Sequence, residues 1–170
     1  KNQTTTSWKD RSSSYDVDTQ GYRYHMSNIN AAIGLAQLKK VDKFISRRRK
    51  LAIKYDCAFQ SLEEIKTLQI DYDTVTPHIY VIRVENNLRD PLMKYLKDQD
   101  IETGVNYIPN HLHSFYKQEN LVLPETEKAY QEILTLPLHC NLSDSDVDRV
   151  IACTREFLDQ KRKKISPTKV

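Results

Sequence analysis

Apolar residues recur every three or four positions from Asn28 onward. Ile29, Ala32, Ile33, Ala36, Leu38, Val41 and Ile45 are followed by Leu51, Ala52, Tyr55, Phe59 and Leu62, the spacing of one helical face. A single helix of that length would run ~50 Å at 1.5 Å per residue, so a bend is predicted near Asp42. Ser27 or Asn28 is placed to cap its first turn. Ala31, Ala32 and Gly34 at its start predict the close approach of another backbone and burial at a domain or subunit contact. Leu68 to Pro77 reads as a connector. His78 to Val84 is rich in β-branched and aromatic residues and nearly continuous in apolar ones, which predicts a central strand.

Further along, Asp90-Pro91 predicts a capping residue followed by proline at the first helical position, with Leu92, Met93 and Leu96 as the apolar stripe. Ile101, Thr103, Val105 and Tyr107 alternate with Glu102, Gly104 and Asn106, a strand of period two that ends at Pro109. Ile108 to Tyr116 is a loop. A helix from Glu125 to Leu134 leads to a short strand, Thr135 to Leu138, whose Pro137 argues for an edge or end position. Leu142 to Asp146 opens the last helix, with Val147, Val150, Ile151, Thr154, Phe157 and Leu158 toward a core. This order predicts an α/β domain: a long N-terminal helix, then a small sheet with helices packed on it.

Composition narrows the picture. A chain of 170 residues with 39% hydrophobic content is enough for one domain with a core of its own. Twenty-six Lys and Arg against 23 Asp and Glu leave a net charge of +3, too small to argue for a nucleic-acid partner. The basic runs Arg47 to Lys50 and Lys161 to Lys164 read as solvated faces, the second as part of a flexible tail over residues 161–170. Cys57, Cys140 and Cys153 are odd in number and without paired spacing. They fit reduced thiols in a cytoplasmic protein, with Cys57 and Cys153 on apolar helical faces as core residues. No apolar run approaches the ~20 residues of a membrane span. His111, His113, His139 and Cys140 lack the close pairing of a structural zinc site. Three glycines in all leave no Gly-rich phosphate loop, and no nucleophile elbow supports a Ser-His-Asp set.

Two stretches carry candidate chemistry. Tyr22, Arg23, Tyr24 and His25 place aromatic rings and basic donors in a loop directly ahead of a helix start. Ile108 to Tyr116 is dense in groups that hydrogen-bond or stack. The first stretch, Gly21-Tyr-Arg-Tyr-His-Met-Ser-Asn-Ile-Asn-Ala-Ala-Ile-Gly-Leu35, resembles the Gly-Tyr-Asn-Tyr-Arg-Met-Thr-Asp-Ile-Gln-Ala-Ala-Ile-Gly-Leu signature of the DegT/DnrJ/EryC1/StrS sugar-nucleotide aminotransferases. These are pyridoxal 5'-phosphate (PLP) enzymes of fold type I. The likeness continues in order through Arg47 to Ala52 with Tyr55, Ile101 to His111, and Leu134 to His139, and covers about Trp8 to Leu158.

The resemblance implies the C-terminal part of such an enzyme. Residues 1–27 would be the tail end of the large PLP domain and an active-site loop, residues 28–160 the C-terminal small domain, and the rest a basic tail. The family's Schiff-base lysine belongs upstream of the loop at Gly21. Nothing between Lys1 and Gln20 looks like its segment, so no catalytic residue is expected in this chain. Arg23 and His25 would bind the PLP phosphate in the neighbouring subunit of a homodimer, although the family commonly has asparagine and arginine at these two positions. Tyr107, Asn110 and His111 would contact the bound nucleotide sugar, with His111 donating to it; Asn106 stands where a histidine is frequent. The intact enzyme would move an amino group from glutamate to a nucleotide-linked keto sugar, 4-keto favoured, for a surface polysaccharide or natural product. A sugar dehydratase of the same family and a non-catalytic dimerisation or interaction remnant are the alternatives. The implied partners are the keto sugar, glutamate, and a large PLP domain or a second chain supplying it. Nucleic acid and membrane are not among them.

Overall fold

A computed structural model describes residues 21–22, 24–118 and 120–165. The polar segment 1–20, Arg23, Glu119 and residues 166–170 lie outside the described residues. The chain divides into two compact units, residues 1–40 and 41–170.

The first unit holds helix α1, Asn28–Leu38. Its N-cap is Ser27, whose hydroxyl accepts the Asn30 backbone N–H at 3.2 Å, satisfying one of the donors that a first turn leaves unpaired. The apolar periodicity does not continue unbroken into one long helix. Lys40 N–H turns back to the Gln37 carbonyl, an i−3 bond that closes α1, and α2 begins at Val41. The interruption therefore falls just ahead of the bend expected near Asp42. No residue of α1 is buried, and a Cβ added to Gly34 would meet nothing within 4 Å. The close backbone approach expected at this helix is not made among the described residues.

The second unit is a three-stranded antiparallel sheet with helices packed on it. Helix α2 (Val41–Phe59) precedes β1 (Ile65–Thr67) and β2 (Tyr80–Val84), and α3 (Arg89–Asp98) follows. A 3-10 turn at Asn110–Leu112, α4 (Pro124–Glu132), β3 (Ile133–Leu136) and α5 (Asp144–Ile165) complete it. Strand order is β1-β2-β3, with Ile65 opposite Val84 and Tyr80 opposite Leu136. β2 is central, as its composition predicts, and its alternate residues Tyr80, Ile82 and Val84 are buried. They meet Leu51, Tyr55 and Phe59 of α2, Leu92 and Leu96 of α3, and Val147, Phe157 and Leu158 of α5 in one core. Tyr55 stacks on both Phe59 and Tyr80 at centroid separations of 5.7 and 4.7 Å.

Several expected elements shift, each for a local reason. α3 starts before Asp90-Pro91 rather than at it. The first four N–H groups of a helix have no intrahelical partner, so proline costs nothing at its third position. Ile101 to Tyr107 does not form a strand. Ile101 N–H is bonded to the Leu96 carbonyl at the end of α3, and only Gly104 pairs with the sheet, opposite Thr135. β3 begins two residues earlier than expected, which leaves Pro137 just beyond its last residue, where no ladder N–H is required. β1 is absent from the sequence prediction because three residues show no period.

The basic segments are also used differently from expectation. Arg47 and Lys50 bond the Asp144 carboxylate at 2.7 and 3.2 Å, and Arg49 donates to the Asp73 carbonyl, so this run is not simply solvated. α5 extends to Ile165, so the first residues assigned to a flexible tail are helical. Arg162 makes a two-pronged bond to Glu64, 2.7 and 2.6 Å. Cys57 is exposed, not a core residue, and Cys153 is partly buried against the core.

Candidate functional site

The stretch from Gly104 to Leu123 is held at both ends and carries its polar groups between. Gly104 and Thr135 exchange both backbone hydrogen bonds, 3.0 and 2.7 Å, which pins the start of the stretch to β3. Pro109 directly precedes a tight turn. The Leu112 and His113 N–H groups then bond the Pro109 and Asn110 carbonyls, 3.0 and 3.1 Å, winding Asn110–Leu112 into a 3-10 turn that sets Asn110 and His111 side by side. At the far end Pro124 opens α4, its fixed φ suited to the first helical position.

Asn110 and His111 line a cleft of about 390 Å3 together with Pro109, Tyr116, Leu123 and Thr126. The His111 side chain is only 7% exposed, and its Nε2 lies 3.1 Å from Glu127 Oε1. That same oxygen accepts the Leu123 backbone N–H at 3.0 Å. The Leu123 N–H first, and His111 second, hold the Glu127 carboxyl below its ordinary pKa, since both contacts favour the ionised form. Around the cleft the loop presents aromatic rings. Phe115 is exposed and packs edge-on against Tyr116 at 5.0 Å. Polar groups set in an apolar, aromatic surround can orient a hydroxyl-rich ligand and stack on it.

Of the three residues expected at a sugar, the fold therefore brings Asn110 and His111 into one cleft. Tyr107 does not line it and stands 78% exposed. The sequence reading did not single out Glu127. Its signal was nevertheless present: an acid in the first turn of a helix opened by Pro124, directly after the loop that carries His111. In the first unit, Tyr22 and Tyr24 are strongly exposed with ring centroids 6.1 Å apart, and His25 is exposed between Tyr24 and Met26. Arg23 lies outside the described residues.

Elsewhere, Asp56 of α2 accepts the hydroxyls of Tyr72 and Tyr80 at 2.8 and 2.6 Å. Burial first, and the hydrogen bond to Asp56 second, push the Tyr80 hydroxyl pKa upward, so it stays neutral and donating. This arrangement ties the β1–β2 connector to α2. Among the described residues, no three or more His, Cys, Asp or Glu are gathered as metal ligands. No described helix is long and apolar enough to cross a membrane.

Residues 2–155 match the model of the DegT/DnrJ/EryC1/StrS aminotransferase family. The chain is 34% identical over 154 residues to the spore coat polysaccharide biosynthesis protein SpsC of Bacillus subtilis, covering 85% of this chain and 40% of that protein. Among solved structures it is similar to the aminotransferase TlmJ from Streptoalloteichus hindustanus, at 33% identity, TM-score 0.72, and coverage of 86% of this chain and 40% of that one. It is also similar to the putative sugar aminotransferase Spr1654 from Streptococcus pneumoniae in its PMP form. That match has 28% identity and TM-score 0.77, and covers 86% and 39% of the two chains. The chain thus spans about two-fifths of the length of these relatives, and its helices on a small sheet are the fold of the C-terminal portion of such enzymes. With a family model matched along nearly its whole length, this chain belongs to the DegT/DnrJ/EryC1/StrS aminotransferase family.

Proposed function

We propose that this chain is the sugar-facing, C-terminal part of a PLP-dependent aminotransferase that moves an amino group from glutamate to a nucleotide-linked keto sugar, with the 4-keto position favoured. The observation that carries the proposal is the cleft in which the 3-10 turn sets Asn110 beside a largely buried, carboxylate-held His111. SpsC, by its name a protein of spore coat polysaccharide biosynthesis, supports a surface polysaccharide as the destination of the product.

PLP, when bound, supplies an electron sink and a temporary carrier for the amino group. This chain's own part is binding. Arg23 and His25 are the donors offered to its phosphate in a neighbouring subunit of a homodimer, and a cation and an imidazole suit a phosphate dianion. At the cleft, the Asn110 amide and the His111 imidazole orient sugar hydroxyls. Tyr107, exposed at the head of the loop, stacks against the ligand from outside the cleft. Leu121 and Leu123 supply apolar side chains to the same cleft. By this reading the enzyme works in the cytoplasm, where nucleotide sugars are made.

The test is the longer polypeptide whose reading frame contains this chain, purified with PLP and given glutamate and a nucleotide-linked 4-keto sugar. The expected result is 2-oxoglutarate and an aminosugar nucleotide in equal amounts. Loss of water from the sugar with no nitrogen incorporated would overturn the proposal.

A further inference from the structure

We infer that Glu127 is the positioning residue for His111, holding the imidazole with its proton on Nε2 so that Nδ1 is presented as a hydrogen-bond acceptor for a sugar hydroxyl. The inference rests on the proposed sugar site and goes beyond it by assigning the atom that meets the ligand. It also reverses the donor role expected for His111.

The geometry leaves the carboxylate one role. Glu127 Oε1 lies 3.1 Å from His111 Nε2 and accepts the Leu123 N–H at 3.0 Å. An ionised carboxylate only accepts, so the shared hydrogen between Glu127 and His111 comes from the ring. The hydrogen bond made by one ring nitrogen decides the state of the other. In neutral His111 the proton therefore sits on Nε2, and Nδ1 carries the lone pair. Glu127 is itself fixed. The N–H it accepts belongs to Leu123, the N-cap of α4, and Pro124 follows at the first helical position. With its side chain 7% exposed, His111 has little room to turn its ring without breaking this bond. Asn110 lines the same cleft and has both an amide donor and a carbonyl acceptor. A sugar hydroxyl can then donate to His111 Nδ1 while accepting from the Asn110 amide, a pairing that an N–H at Nδ1 would frustrate.

The test reads the ring directly. The chain is labelled with 15N-histidine and studied by long-range proton–nitrogen correlation at mildly alkaline pH, with His111 assigned from a His111→Gln variant. The expected wild-type spectrum has Nε2 protonated and Nδ1 bare. Glu127→Ala removes the acceptor from Nε2 altogether, so the Nδ1–H form becomes populated. Unchanged amide dispersion in Glu127→Ala reports an intact fold. Wild-type His111 protonated at Nδ1 overturns the inference whatever the variant does; so does a variant whose His111 signals do not change. In the longer enzyme, Glu127→Ala is expected to raise KM for the nucleotide sugar about tenfold, with kcat changed less than about twofold. The two proposals fail separately. A locked Nε2–H with no amino transfer by the longer wild-type enzyme retires the sugar site and with it the role of Nδ1. A relaxed ring in an active enzyme retires Glu127 alone.

Discussion

Asp144 collects the charge of the segment that looked most like a free basic patch. Arg47 first, and Lys50 with it, hold the Asp144 carboxyl below its ordinary pKa by hydrogen bonds to the charged form, and Lys54 donates to its backbone carbonyl at 3.0 Å. A carboxyl with a lowered folded pKa contributes stability that is fully present above the unfolded value, ~3.9, and lost as pH falls through the folded one. Urea titrations at stepwise lower pH should therefore show wild-type stability declining more steeply below about pH 5 than that of Asp144→Asn, which has no carboxylate to protonate. Equal slopes would mean that the ion pairs add nothing. Asp56 acts by satisfaction of hydrogen bonds. Removing it in Asp56→Ala leaves two tyrosine hydroxyls without their acceptor, one of them on buried Tyr80. The expected cost is about 2 kcal/mol, read from the urea midpoint.

At the scale of elements, the end of α3 shows how a short backbone motif overrides a side-chain pattern. Asp100 takes a left-handed φ of 54°, its N–H bonds the Lys97 carbonyl, and Ile101 N–H reaches back to Leu96. These are the paired bonds of a Schellman cap, and the buried side chains of Leu96 and Ile101 accompany them. The alternation from Ile101 to Tyr107 has the period of a strand, but its first N–H is already committed to the helix. Glycine adopts this φ without a Cβ penalty, so Asp100→Gly should stabilise the second unit by about 0.5–1 kcal/mol, measured as a higher urea midpoint at unchanged slope. A lower midpoint would contradict the cap. The same logic places the candidate site. The Gly104–Thr135 bridge and the start of α4 bracket the loop, and the 3-10 turn between them sets Asn110 beside His111.

For the whole molecule, the proposed site residues are ones that would finish a pocket rather than ones that would react. The chain holds no lysine set among glycines and serines ahead of the Gly21 loop. Mixed with PLP and desalted, the 170-residue chain is therefore expected to show no visible absorption band, while the longer enzyme should retain one. A yellow, stoichiometric complex of this chain alone would contradict that expectation. The apolar side chains left open on α1 belong to the same picture. Ile29, Ile33, Leu35 and Leu38 of α1 are exposed, and the chain spans about two-fifths of its relatives' length.

Sequence alone determined the family, the existence of most helices and the central strand. Each of these depends on local periodicity or on residues close together in the chain. It placed the bend near Asp42, a few residues after the break that follows Leu38, and it did not reveal the three residues of β1 or the loss of a strand at Ile101, where backbone hydrogen bonds decide. Nor could it separate Tyr107 from Asn110 and His111, or join His111 to Glu127 across 16 positions. That pairing exists only once the loop is anchored to β3 and the first turn of α4 is packed beside it, since a hydrogen bond depends on distance in space and not along the chain.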